Sequence, residues 1–346
     1  MVPWPPKREA SEGRGAEFAI RPGTSVERSS GRAASRNAPL RHLGPTRPER
    51  GSPHDRLRSW RLRPDQEDER DRCEPSRDHR RGGGDVTADL GDRYEAGALV
   101  EWASVTKTVT AAAALAVLAE RDIPPDTPAR DLVPDVPDDA TYTVDDLIRH
   151  RSGLPRVHQG MSAGIVGDPY ATVSEADVTR ARRQTPTTPG ERDYSNLGYA
   201  VLGRLVEHVT REAWFTVAER TVLAPLGITS ATLDPAPERR TLLRSWRGRP
   251  REPWSVGSGP YAPAGGIWST MSDLLRLGVG IGRIEPDFLA WEHRDGLIWH
   301  SGQTRDAGVC LLRHGDVTIA SHALGAAPGA ADRLAVRRLR AVGVVA

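Results

Sequence analysis

Ser104-Val-Thr-Lys107-Thr-Val-Thr-Ala-Ala-Ala-Ala-Leu-Ala-Val-Leu-Ala-Glu-Arg121 is the stretch on which the reading of this chain turns. A hydroxyl residue opens it, Pro124-Pro125 lies just beyond it, and strong helix formers fill it, so it predicts a helix over 104–121. Between Val105 and Ala119 the only charge is Lys107, and such a helix is expected to be buried on nearly all sides.

That one charge is unusual. Of 48 Lys and Arg residues only two, Lys7 and Lys107, are lysines. Arginine does not give up its proton in a protein, whereas a lysine amine is tuned by burial and neighbours until it accepts one. Three residues after Ser104, Lys107 shares a helix face with the serine hydroxyl. The plainer reading is a lysine snorkelling out of a buried helix. Ser104 taken alone reads better as a plain helix N-cap. Together they point to a nucleophile beside its base, at a helix terminus whose free N–H groups favour negative charge on an attacked carbonyl.

Asparagine is as scarce, with Asn37 and Asn196 the only two. In Tyr194-Ser195-Asn196 the amide is suited to recognising a substrate amide or carbonyl, and Tyr194 to moving a proton if Lys107 stabilises its phenolate. Asn196 reads equally as the cap of a helix starting at Leu197. A third piece, His300-Ser301-Gly302, closes a strand-like run. The glycine would let a ligand lie along the strand, and the N–H beyond it, on Gln303, would help hold an oxyanion. His150, His158 and His293 read as structural or surface residues.

The first 84 residues are rich in Arg, Pro, Ser, Gly and Glu without hydrophobic period, and are expected to be a disordered segment. Residues 85–346 are expected to form the folded domain. Residues 1–85 carry 19 Arg/Lys against 14 Asp/Glu and the remainder 29 against 32, so the domain is mildly acidic and offers no nucleic-acid footprint. Two cysteines, Cys73 and Cys310, make neither a disulfide framework nor a zinc site. No purely apolar run reaches 18 residues and no secretory signal opens the chain, so the expectation is a cytoplasmic protein without membrane contact, or an extracytoplasmic one if the true start differs. Nothing in the sequence sets the oligomeric state.

Further helices are expected at Val144–His150, Leu197–Val209, from Ser272 to Leu277, and at Asp332–Val342; strands at Gly296–His300, Gly308–Leu312 and Asp316–Ala320. The pattern is an α/β, more narrowly α+β, layered domain: an antiparallel sheet flanked by helices beside an all-helical region.

Ser-x-x-Lys at 104–107, Tyr-x-Asn at 194–196 and His-x-Gly at 300–302, in this order, resemble the serine β-lactamase and penicillin-binding-protein superfamily. The likeness is to the branch of class C β-lactamases, D-Ala-D-Ala carboxypeptidases, D-aminopeptidases and related esterases. Asp146-Leu-Ile-Arg-His-Arg-Ser-Gly-Leu-Pro155, Pro189-Gly190, Pro225-Leu-Gly227 and Gly265-Gly266 agree with it. The resemblance implies Ser104 as nucleophile, Lys107 and Tyr194 as the proton-transfer pair, and Asn196, His300, Gly302 and Gln303 as substrate-side residues, with the N–H groups of Ser104 and Gln303 as the oxyanion hole. It implies an acyl-enzyme, a small-molecule or peptide substrate, and neither metal nor organic cofactor. His300 stands where dedicated class C β-lactamases carry Lys, which favours a peptidase or esterase. The branch also builds two strands before its Ser-x-x-Lys, and residues 1–84 show no strand pair. That gap motivates the alternative, a degenerate, non-catalytic relative that at most binds ligand.

Overall fold

The computed structural model describes residues 94–343 apart from 96, 135, 162–166, 185–187 and 326. The expected disordered segment 1–84, with Cys73 and the question of a strand pair within it, lies outside the described residues.

Two structural regions meet at the head of the alanine-rich helix. Val100–Glu101 (β1) leads into a 3-10 turn, Ala103–Val105, and then Thr106–Glu120 (α1). Short helices follow at Ala129–Leu132 (α2), Val144–Ile148 (α3) and Glu175–Gln184 (α4), then Asn196–Thr210 (α5) and Trp214–Ala218 (α6). Ala262–Gly265 (α7) precedes Trp268–Ser269 (β2), Met271–Gly280 (α8), Glu292–Arg294 (β3), Leu297–Gln303 (β4), Ala307–His314 (β5), Val317–Leu324 (β6) and Ala330–Ala341 (α9). The antiparallel sheet has the order β3-β4-β5-β6, and β1 pairs with β2 apart from it. The layered α+β fold is therefore as the sequence predicts, with element ends shifted by a few residues.

Packing explains why α1 carries so little polarity. It is pressed between α5 and α7, and Ala111 to Ala114 are buried, small enough to let neighbouring helices approach. The stretch 103–120 is long and apolar enough to cross a membrane by composition, with mean hydropathy 1.2, yet 72% of it is buried inside this fold. Helix α5 buries Leu197, Val201 and Leu205 in one stripe against α1 and α3. Helix α3 opens with a reciprocal capping box: the Asp146 N–H donates to Thr143 Oγ1, and the Thr143 N–H returns a bond to the Asp146 carboxylate.

In β5 the side chains alternate as a pleated strand requires. Val309 and Leu311 enter the main core, while Cys310 and Leu312 face α9 with Ala331, Ala335 and Leu339. Helices α8 and α9 thus cover opposite faces of the sheet. Cys310 is a buried free thiol. Strand β3 was not expected from Glu292-His-Arg294, which has no apolar alternation; it is made by the tight turn Asp295-Gly296, both residues at positive φ (50° and 77°), which returns the chain into β4. Tyr94 fastens the first described residues to β6, its hydroxyl 2.9 Å from His322 Nδ1 and donating to the His322 carbonyl at 3.0 Å.

Candidate active site

Ser104 lies inside the 3-10 turn before α1, so it is neither the first residue of the α-helix nor its cap; no side chain caps that end. Ala103 before it is held at φ 43°, a conformation that non-glycine residues avoid and surrounding contacts must enforce. Here they do so: Trp102 N–H donates to the Ile267 carbonyl (2.9 Å), the Trp102 indole to Ser269 Oγ (2.8 Å), and Ile267 N–H to Thr106 Oγ1 (3.2 Å).

Freed from capping, the Ser104 hydroxyl faces two proton carriers. Lys107 Nζ lies 3.2 Å from Ser104 Oγ, and the Tyr194 hydroxyl donates to it at 2.6 Å. Lys107 is fully buried and held from behind by the Ala264 carbonyl at 2.5 Å, so it does not snorkel. Its ammonium is pushed well below the ordinary lysine range, first by burial and then by the positive Arg156 nearby, toward the neutral amine a base needs. Burial pushes the Tyr194 phenol up to about 12, against the opposing pull of its Ser104 bond and of Arg156. Tyr194 therefore keeps its proton and stands as a donor, a different division of labour from a phenolate stabilised by an ammonium.

Tyr194 is set in place by His150, which the sequence reading put among structural or surface residues. The ring is buried, lies 4.4 Å from the Tyr194 ring between centroids, and accepts the Ser195 N–H on Nδ1 at 3.1 Å, which places a proton on Nε2. The Asp193 N–H donates to the His150 carbonyl at 2.8 Å, and Ser195 Oγ to the Pro155 carbonyl at 2.7 Å. The segment His150–Arg156 thus brackets Tyr194 from both sides. It was legible as a motif and not as a function, because its bonds reach across some forty residues.

Asn196 is the first residue of α5, and the cap is its neighbour: Ser195 Oγ accepts the Gly198 N–H at 2.8 Å. The capping reading of Asn196 is corrected accordingly. Its side-chain oxygen Oδ1 is buried with no hydrogen-bond partner, an acceptor left unused two residues after Tyr194.

Strand β4 packs against the Ser104 turn. His300 and Gly302 share the face turned to that turn, and His300 is buried, its Nδ1 3.1 Å from the Ser301 carbonyl. The need for glycine at 302 is packing as much as ligand access: a Cβ there would fall 2.7 Å from the Trp102 carbonyl and 2.8 Å from Ala103 Cβ. Gln303 is exposed, and its side chain turns back to the Thr304 and Ala307 carbonyls, both at 2.9 Å. Because the next N–H, on Thr304, bonds inward to Ala307 (2.8 Å), alternation turns the Gln303 N–H away from β5.

Glu101, unnoticed in the sequence, ties the two halves together. It sits on β1 three residues before Ser104, is 8% exposed, and accepts a hydrogen bond from Thr304 Oγ1 at 3.0 Å. Burial pushes its carboxyl up to about 7, opposed by the Thr304 bond. A carboxylate inside the otherwise apolar run Ala98-Leu-Val-Glu101-Trp-Ala was the available signal.

Residues 79–320 match the family model described as Beta-lactamase, and the chain belongs to that family. A protein of Escherichia coli (strain K12), described as a putative D-alanyl-D-alanine carboxypeptidase, is 28% identical over 151 residues, 40% of this chain and 35% of that protein, so the chain spans about a third of that relative's length. Among solved structures, the penicillin binding protein from Bacillus halodurans superposes with a TM-score of 0.59 at 18% identity, covering 75% of this chain and 94% of the other. The class C beta lactamase from Rhodobacter sphaeroides superposes at 0.57 with 16% identity, covering 72% and 86%. The fold is thus the β-lactamase/transpeptidase-like one, and the family is one of serine-type hydrolases.

Proposed function

We propose that this protein is an acyl-serine hydrolase, with Ser104 as nucleophile, that cleaves an ester or a D-amino-acid amide or peptide bond. One observation carries the reading: Ser104 Oγ has both Lys107 Nζ (3.2 Å) and the Tyr194 hydroxyl (2.6 Å) within reach, and Lys107 is buried in a neutral-favouring site.

The neutral Lys107 amine takes the proton from Ser104 Oγ as that oxygen bonds to the substrate carbonyl carbon. The oxyanion is met by the N–H groups of Ser104 and Gln303. Collapse re-forms the carbonyl and breaks the bond to the leaving group, which takes the Tyr194 proton. Lys107 passes its extra proton to Tyr194, restoring both groups. Water then attacks the acyl-Ser104 ester, giving up a proton by the same route, and releases the acid. Asn196 Oδ1 accepts an N–H of the substrate, and His300 lines the strand side. A histidine there, and a relative described as a putative carboxypeptidase, favour peptidase or esterase action over β-lactam turnover.

Steady-state hydrolysis of 4-nitrophenyl esters and of D-alanyl-D-alanine peptides tests the proposal. Turnover that disappears in Ser104→Ala while thermal unfolding is unchanged supports it; equal turnover in that variant ends it.

A further inference from the structure

Arg156 follows Ser152-Gly-Leu-Pro155, and its backbone is fixed at the site: its carbonyl accepts the N–H of Asn196 (2.9 Å) and of Leu197 (3.3 Å). Its side chain is exposed and lies across the Tyr194 ring, with the guanidinium carbon 5.1 Å from the ring centroid. No carboxylate among the described residues pairs with it. Other charges on the same wall are occupied. Asp168 accepts the backbone N–H groups of Tyr170 (2.9 Å) and Ser255 (2.7 Å), Arg192 is paired with Glu292, and His158 bonds Tyr261 through its N–H (3.0 Å) and Nδ1 (3.2 Å). Tyr170, packed between Trp254 and Tyr261, adds an aromatic wall reached by the field of Arg156.

Lying over the ring whose hydroxyl bonds Ser104, this guanidinium also opposes the charged form of Lys107. A planar fork of N–H donors, exposed over the Tyr194 ring, fits a carboxylate in two-pronged fashion. The second open group, the buried Asn196 Oδ1, is an acceptor on the residue bonded to Arg156's own carbonyl. The wall therefore carries a cation for an anion, and the first residue of the helix bonded to the Arg156 carbonyl carries an unpartnered acceptor for an amide N–H.

We infer that Arg156 is a substrate-binding residue that recognises a carboxylate close to the cleaved bond. This rests on the acyl-serine reading above. It makes Arg156, on the helical wall, and not His300 on β4, the anion-reading group.

The test uses the full chain and two matched pairs of esters. The first sets 4-nitrophenyl hydrogen glutarate, with its carboxylate on the acyl side, against 4-nitrophenyl valerate. The second sets 5-acetoxy-2-nitrobenzoate, with its carboxylate on the leaving group, against 4-nitrophenyl acetate. The quantity read is the ratio of kcat/KM for the anionic to the neutral ester. In at least one pair that ratio is expected to fall about tenfold or more in Arg156→Ala, further in Arg156→Glu, and less in Arg156→Lys. Raising the salt from about 0.05 to about 0.5 M should lower the wild-type ratio and leave that of Arg156→Ala flat. Ratios in Arg156→Ala within about twofold of wild type in both pairs overturn the inference.

Calorimetric binding of the glutarate and acetoxynitrobenzoate esters to Ser104→Ala and to Ser104→Ala/Arg156→Ala separates this inference from the hydrolase reading. Arg156-dependent binding without turnover in the wild type sinks only the latter. Binding of both esters indifferent to Arg156 sinks the former.

Discussion

Glu101→Gln is the perturbation whose consequence follows most directly from the structure. Glu101 is buried and its carboxyl titrates at about 7 in the fold, against 4.5 ordinarily, with burial as the main cause. Its proton is therefore held more tightly in the native state. The stability this contributes is fully present below about pH 4.5 and is lost as pH rises through about 7. At about 1.4 kcal/mol for each pH unit, the rise amounts to on the order of 3 kcal/mol. Glutamine keeps an acceptor for Thr304 Oγ1 and has nothing to titrate. Urea unfolding followed by tryptophan fluorescence at pH 5 and pH 8 should then show the wild type losing stability relative to Glu101→Gln by about that amount on going to the higher pH. Glu285, pushed by burial to about 7 as well, contributes equally to both proteins and cancels in the difference. A stability gap that stays constant within about 0.5 kcal/mol between the two pH values would refute the reasoning.

Other consequences concern the site itself. Lys107→Met should lower kcat by about 10²- to 10⁴-fold with little effect on unfolding, and in the wild type the acid limb of the pH–kcat profile should fall where Lys107 becomes an ammonium, below the ordinary lysine range. Ser195→Ala and Asn196→Ala should separate: the first removes the α5 cap and costs about 1 kcal/mol of stability, read by thermal unfolding, while the second changes KM or kcat and leaves the cap intact. Gly302→Ala should destabilise by about 1–3 kcal/mol and lower activity together, because its methyl group meets the Trp102 carbonyl; unchanged unfolding would contradict so close a contact.

Much of this molecule was readable from local pattern. The alanine-rich run fixed the central helix because its composition leaves no polar face, and the short continuous apolar run Gly308-Val-Cys-Leu-Leu312 marked a strand because both of its faces are covered, each by a different layer. The Ser104–Lys107 pair was legible because lysine is scarce and a spacing of three puts both side chains on one helix face. What was not legible depends on partners distant in the chain. Ala103 takes its strained φ from Ile267 and Ser269, and Glu101 takes its raised pKa from burial beside Thr304. The change of role between Ser195 and Asn196 turned on a one-residue shift in where α5 begins, a boundary that hydrophobic period leaves undefined. Strand β3 is polar throughout and owes its existence to a two-residue turn.

The central claim is that Ser104 forms an acyl-enzyme. Intact-mass measurement after incubation with a fluorescent penicillin or a fluorophosphonate, on the wild type and on Ser104→Ala, tests it most directly. The account predicts a single adduct on the wild type that is absent from the variant. No adduct on a protein that unfolds cooperatively, or an adduct that survives in Ser104→Ala, would contradict it.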